Sequence, residues 1–385
     1  MNGKQTILVL GGGVGGVVAA VELRKKLPEA HRIVVVERAE QHLFAPSLLW
    51  LMTGRRSASE ISRPLDRLRK KGIEVVRGEI ERVDPKTREV VVDGTTLGGD
   101  YLVIALGAEL APDLIPGLAE AGHNFYDLRG AEDLRDALRA FASGRLIVLT
   151  AAPAYKCPAA PYEAAMLLEY DCRKRRVRDA VQIDLYAAEP GPMGVAGPEV
   201  SKAVRGMVEE KGIRYHPEHQ VVTVDPRARR IVFANGARAE YDLLAYVPPH
   251  RAPRVVREAG LVGESGWIKV DRQTLETSFE RVFAIGDVTS IPLKLGKPLP
   301  KAGVFAHGEA EVVAANIARA ITGKGEPRVF DGHGECFIET GDGKAGLGRG
   351  DFYAEPLPEV KLFKVGRHWH AGKVLFEKDW LRRWF

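Results

Sequence analysis

Cysteine is scarce in this chain. Three among 385 residues are too few for a stabilising disulfide framework, so any disulfide is expected to be catalytic rather than structural. Long apolar runs are absent: none reaches the roughly 18 residues that a membrane-spanning helix needs. The charge is nearly balanced at +5, and no basic patch interleaved with stacking aromatics stands out, which argues against nucleic acid as a partner. No residue set calls for a metal. The opening "MNGKQTILVLGGG" enters a strand at once and leaves no room for a secretory leader, so a cytoplasmic location is expected. What is plentiful is apolar material, at 45%, enough for a sizeable core in two or three domains.

The first 37 residues carry the most specific local pattern. A short apolar run from Thr6 to Leu10 leads into Gly11, Gly13 and Gly16 in G-x-G-x-x-G spacing, then a helical segment to about Lys26, then "RIVVVE" ending in Glu37. Strand, glycines, helix, second strand and terminal acid in that order predict a dinucleotide-binding unit. The glycines let helix N-terminal amides approach a pyrophosphate, and the acid accepts from a ribose.

The chain then repeats itself. "KGIEVVRGEIERVDPKTREVVVDG" from Lys71 is echoed by "KGIRYHPEHQVVTVDPRARRIVFANG" from Lys211, each followed by a Tyr-containing apolar strand. The repeat predicts an α/β protein with two tandem Rossmann-like units, each a parallel sheet with an antiparallel arm. In the second unit "RLIVLT" reads as the first strand, Tyr162 to about Arg175 as the helix, and Glu189 takes the place of Glu37. The loop between them should hold glycines. It holds Ala151, Ala152, Pro153, Ala154, Tyr155, Lys156, Cys157 and Pro158, whose side chains and proline rings block a pyrophosphate and remove amide donors. The second unit is therefore expected to have kept the architecture and lost its dinucleotide.

Near the end of the apolar run "TSFERVFAIGDV", Gly286 and Asp287 stand where a carboxylate can hold a ribityl or ribose hydroxyl. The segment resembles the second FAD motif of two-dinucleotide-binding-domain flavoproteins, and "VIALGA", with Gly107, resembles the strand-turn before their central domain. The resemblance implies FAD in the first unit. A helix from about Ala302, with Lys301 and Gly303 at its start, would face the pyrimidine end of the flavin with its amides. The segments are expected as 1–110 and 266–325 for the FAD-binding domain, 111–265 for the degenerate second unit, and 326–385 for a C-terminal region ending in an amphipathic extension.

With these segments, "KCPAAPYE", the late "GHGECFIETG" and the tail "WHAGKVLFEKDWLRRWF", the chain resembles the sulfide:quinone oxidoreductases and their relative, the flavoprotein subunit of flavocytochrome c sulfide dehydrogenase. The resemblance implies a redox disulfide between Cys157 and Cys336, with Glu163 handling protons. Sulfide would attack the disulfide and leave a persulfide and a thiolate. Lys156 either lowers a thiol pKa or is solvated, and Cys172 reads as a packed thiol. The third, upstream cysteine of some members is missing. So is a cysteine in "QHLFAPSLLWLMTG", so the flavin should be noncovalent; Phe44 and Pro46 there resemble a family signature beside it.

The tail from Lys361 interleaves Lys and Arg with Trp369, Leu375, Phe376, Trp380, Leu381, Trp384 and Phe385, a composition suited to a peripheral helix on the inner face of the cell membrane, where a quinone would be met. The alternative for that helix is docking on its own domain or between subunits of a homo-oligomer. The alternative acceptor is a cytochrome c, and a type II NADH dehydrogenase is a third reading, disfavoured by the lost glycines.

Overall fold

In a computed structural model that describes residues 3–385, apolar runs buried on both faces build two parallel sheets of five strands. The first has the order Val282–Ala284, Tyr101–Ile104, Thr6–Leu10, Arg32–Glu37, Glu74–Arg77. Helix α1 (Val14–Lys26) leaves the glycine turn after its central strand. The second sheet repeats this plan with His123–Asn124, Leu243–Val247, Gly144–Thr150, Val181–Ala187 and Arg214–His216, and helix α2 (Ala160–Lys174) stands where α1 stands in the first. Each sheet carries an antiparallel three-stranded arm, Ile80–Gly98 and Val221–Glu240, formed by the two repeated sequences.

The first sheet is completed from far along the chain. Helix α3 (Gly303–Thr322), which begins where the sequence places it, packs along α1. An antiparallel sheet of His333–Gly341, Lys344–Asp351 and Glu359–Gly366 follows, and then helix α4 (Arg367–Arg383).

Helix α4 narrows the expectation of a membrane tail, because its tryptophans are not free for a bilayer. Trp380 is 3% exposed and Trp384 1%, both in the apolar core of the first sheet together with Leu381. Trp380 also donates from Nε1 to His42 Nε2 at 3.1 Å and lies near Phe44. The aromatic side of the helix is thus spent inside its own domain, where each ring contributes on the order of 2 kcal/mol by burial. Only Leu375 and Phe376 remain as large exposed apolar groups on it. No helix among the described residues is long and apolar enough to cross a membrane.

Candidate functional site

The glycine turn is shaped by backbone crowding. Gly11 has φ +105°, and a Cβ there would lie 2.4 Å from the Ala105 carbonyl oxygen; a Cβ on Gly16 would lie 1.9 Å from the Gly11 oxygen. Gly13 faces open space. Glu37 accepts from the Gly12 amide at 2.7 Å and the Ala39 amide at 2.9 Å, so it braces the turn as well as ending the strand. His42, which the sequence reading passed over, holds the other side of the turn through Nδ1 to the Gly12 oxygen at 2.9 Å.

Opposite this turn, Asp287 keeps one buried carboxylate oxygen without any donor, and burial raises its pKa against the pull of Lys156 and Lys301. Lys301 donates to the Asp287 and Thr289 carbonyls at 2.7 and 2.8 Å and lies 3.4 Å from the Trp267 ring centroid; burial pushes its pKa down to about 8. Gly303 opens α3, whose N-terminal amides receive no side-chain cap. Six residues further along α3, Glu309 accepts from the Gly286 amide at 2.6 Å, and burial pushes its pKa up to about 7. An open glycine cradle, open space at Gly107, an acid lacking a donor and an uncapped helix N-terminus together fit a bound flavin.

The glycine-free loop of the second unit turns its tyrosine inward. Tyr155 is buried in the second core with Tyr126 and Tyr162, near Glu189. Cys157 sits in this loop in the left-handed region, at φ 52°. Its amide donates to the Lys301 carbonyl at 2.6 Å and its own carbonyl accepts from the Tyr126 hydroxyl at 3.2 Å, so the loop is tied to the start of α3.

Cys336 comes from the edge strand His333–Gly341, where its thiol donates to the Phe337 carbonyl at 3.4 Å; the neighbouring Cys157 thiol, followed by burial, raises the Cys336 pKa well above the usual range. All three cysteines are free thiols, and Cys172 is buried on α2 with only Arg175 Nη2 near it, at 3.9 Å. The cation whose charge reaches Cys336 is Lys373 of α4; Lys156 acts instead on Asp287 and His250, whose pKa falls to about 3, first through burial.

Glu163, on the first turn of α2, is 2% exposed. One of its oxygens accepts from Lys373 Nζ and from the Glu339 amide, both at 2.8 Å. Burial holds its pKa above the carboxylate range despite Lys373, while Glu163 and Glu339 together hold Lys373 charged against burial. Glu339 in turn receives His370 Nδ1 at 3.0 Å from both oxygens. Lys373, Glu339 and His370 escaped the sequence reading because no local spacing marks them.

The family model described as pyridine nucleotide-disulphide oxidoreductase matches residues 5–310. The sulfide-quinone reductase of Aquifex aeolicus is 28% identical over 396 residues, covering 97% of this chain and 90% of that protein. The mitochondrial sulfide:quinone oxidoreductase of Mus musculus is 26% identical over 368 residues, covering 91% and 79%. The X-ray structure of the Aquifex aeolicus sulfide:quinone oxidoreductase superimposes with a TM-score of 0.89 at 27% identity, over 99% of this chain and 91% of that one. A matched family model over most of the chain, on two dinucleotide-type sheets with a cradle that fits a flavin, makes this chain an oxidoreductase of the pyridine nucleotide-disulphide oxidoreductase family.

Proposed function

We propose that the protein oxidises sulfide with FAD as a noncovalent cofactor and passes the electrons to a membrane quinone. The observation that carries this reading is the meeting of Cys157 and Cys336, 179 residues apart in the chain, in a loop that has given up its phosphate cradle and is tied to the flavin-facing start of α3. Similarity to the sulfide:quinone oxidoreductases supports the substrate and the acceptor.

Gly11, Gly13 and Gly16 would hold the pyrophosphate, Asp287 a ribityl hydroxyl, and Gly107, Lys301 and Gly303 the flavin end. The bound flavin supplies a two-electron acceptor next to the thiols. Sulfide attacks one sulfur of the oxidised pair; a new S–S bond forms, the Cys157–Cys336 bond breaks, and a persulfide and a thiolate remain. Lys373 stabilises negative charge at Cys336, and buried Glu163 is poised to take up the persulfide proton. In the second unit, the loop that would need glycines for a nicotinamide dinucleotide carries Tyr155 and two prolines, which lack the open backbone and, at the prolines, the amide donors of a phosphate cradle. The exposed Leu375 and Phe376 side of α4 would be the contact with the inner face of the membrane.

The test is anaerobic reduction of the bound flavin. Sulfide should bleach it within the time of enzymatic turnover, while NADH and NADPH at the same concentration leave it yellow. Rapid stoichiometric bleaching by NADH and none by sulfide would replace this reading with a nicotinamide-dependent dehydrogenase.

A further inference from the structure

Between the two thiols and the protein surface lies a row of ionisable side chains that sulfur chemistry alone does not require. Glu163, Lys373 and Glu339 are each at most 4% exposed, and His370, with a side chain 28% exposed, ends the row. Burying such groups costs several kcal/mol apiece unless they are paired. One ammonium pairs one carboxylate, so Glu163, Lys373 and Glu339 together retain one negative charge. A single further proton, on His370 or on a carboxylate, makes the row neutral. The row is therefore built around one exchangeable proton, and its contacts come in two pairs, Glu163 with Lys373 at 2.8 Å and Glu339 with His370 at 3.0 Å, joined through the Glu339 amide on Glu163.

His370 is also the member that meets water. It lines a cleft of about 690 Å³ together with Trp50, Arg55, Arg56, Glu377 and Lys378, and its ring stands edge-on to Trp50 at 5.8 Å. His370, Lys373 and Glu377 share one side of α4 at helical spacing. Glu377 is already engaged by Arg56 at 2.8 Å and by the Ser47 hydroxyl at 2.6 Å. The charges facing the imidazole are thus Glu339 from the strand beneath, Lys373 from its own helix, and Arg55, the Arg56–Glu377 pair and Lys378 around the cleft.

We propose that Glu163, Lys373, Glu339 and His370 form a proton exit from the cysteine pair to this cleft, with His370 as the outlet. The proposal rests on the sulfide-oxidising reading above. As the S–H bond of the persulfide breaks, its proton goes to a Glu163 oxygen and both electrons of that bond stay on sulfur. The Lys373 ammonium, paired with Glu163 at rest, swings across the gap between the two pairs to give a proton to Glu339 and takes one from Glu163; Glu339 protonates His370 Nδ1, and the proton on Nε2 leaves to water in the cleft. Charge in the row is unchanged after each passage.

His370 and Glu339 do not touch sulfur in this scheme, so the test uses readouts that a merely structural role would not move. In the flavin-loaded protein, anaerobic bleaching by sulfide is followed across pH for wild type, His370→Gln and Glu339→Gln. His370→Gln should slow bleaching roughly tenfold or more and enlarge the solvent deuterium effect, and added imidazole should restore the rate through the open cleft. Glu339→Gln, similar in shape and still able to hold His370, should be slowed to a similar degree and not be rescued. Wild-type bleaching rates in both variants across the pH range, or a loss that imidazole does not relieve in His370→Gln, would overturn the exit route. Failure of sulfide to bleach the wild-type protein would instead overturn the functional reading on which the route rests.

Discussion

Replacing Glu309 by Gln should change how stability depends on pH, and the size of the change follows from the site. The carboxyl is 1% exposed, accepts from the Gly286 amide, and faces Asp287; burial first, and then the neighbouring acid, raise its pKa from 4.5 to about 7. A carboxyl with a raised pKa in the folded protein favours folding below about pH 4.5, and that advantage is lost as pH rises through about 7. At about 1.4 kcal/mol for each tenfold change in proton affinity, the loss amounts to about 3 kcal/mol. With an unfolding entropy of about 2.1 cal/mol/K per residue, this corresponds to about 4 °C in Tm for a chain of this length unfolding as one unit. Gln keeps an acceptor for the Gly286 amide and cannot ionise. Melting curves of wild type and Glu309→Gln between about pH 5 and pH 8, which spans most of that loss, should therefore diverge by about 3 °C, wild type losing ground as pH rises. Parallel curves over that window would refute the reasoning.

Cys157→Ser and Cys336→Ser should each abolish sulfide-driven bleaching with flavin still bound, whereas Cys172→Ser should retain most activity; near-normal turnover in either of the first two would remove the disulfide from the scheme. Trp384→Ala should cost about 3–5 kcal/mol in denaturant unfolding, and removal of the chain from Gly372 should prevent folding of the flavin-loaded form rather than merely release it from vesicles. Leu375→Asp, at the most exposed apolar side chain of α4, should leave melting unchanged and weaken binding to anionic vesicles; unchanged binding would argue against the exposed side of α4 as a membrane contact. Denaturation should release all flavin into solution as FAD, and flavin remaining with the precipitated chain would show a covalent link.

The parts of this molecule that could be read in the sequence are those dictated by local backbone geometry. Gly11 and Gly16 are required by carbonyl oxygens within van der Waals distance of where a Cβ would be, so their spacing is fixed and recognisable. The doubled plan of the sheets is visible because both arms preserve their turn residues and apolar alternation. The buried row at the thiols is different. Lys373 meets Glu163 across 210 residues and the Glu339 amide meets it across 176, and nothing in the flanking sequence announces either contact. The tail is ambiguous for a related reason. Aromatic and basic residues suit a bilayer and a docked helix equally, and only the partners of Trp380, Leu381 and Trp384 decide between them.

The interleaving of the two units also sets an order for making the protein. The second sheet is contained in residues 123–247, whereas the first begins at Thr6 and takes its last strand from Val282–Ala284, its long packing helix from Gly303–Thr322, and core aromatics from Trp380 and Trp384. During synthesis the inserted unit has all its strands while the enclosing one is still missing a sheet edge, a helix and part of its core. A chain interrupted before α4 would accordingly present the open core of its first unit to chaperones and proteases.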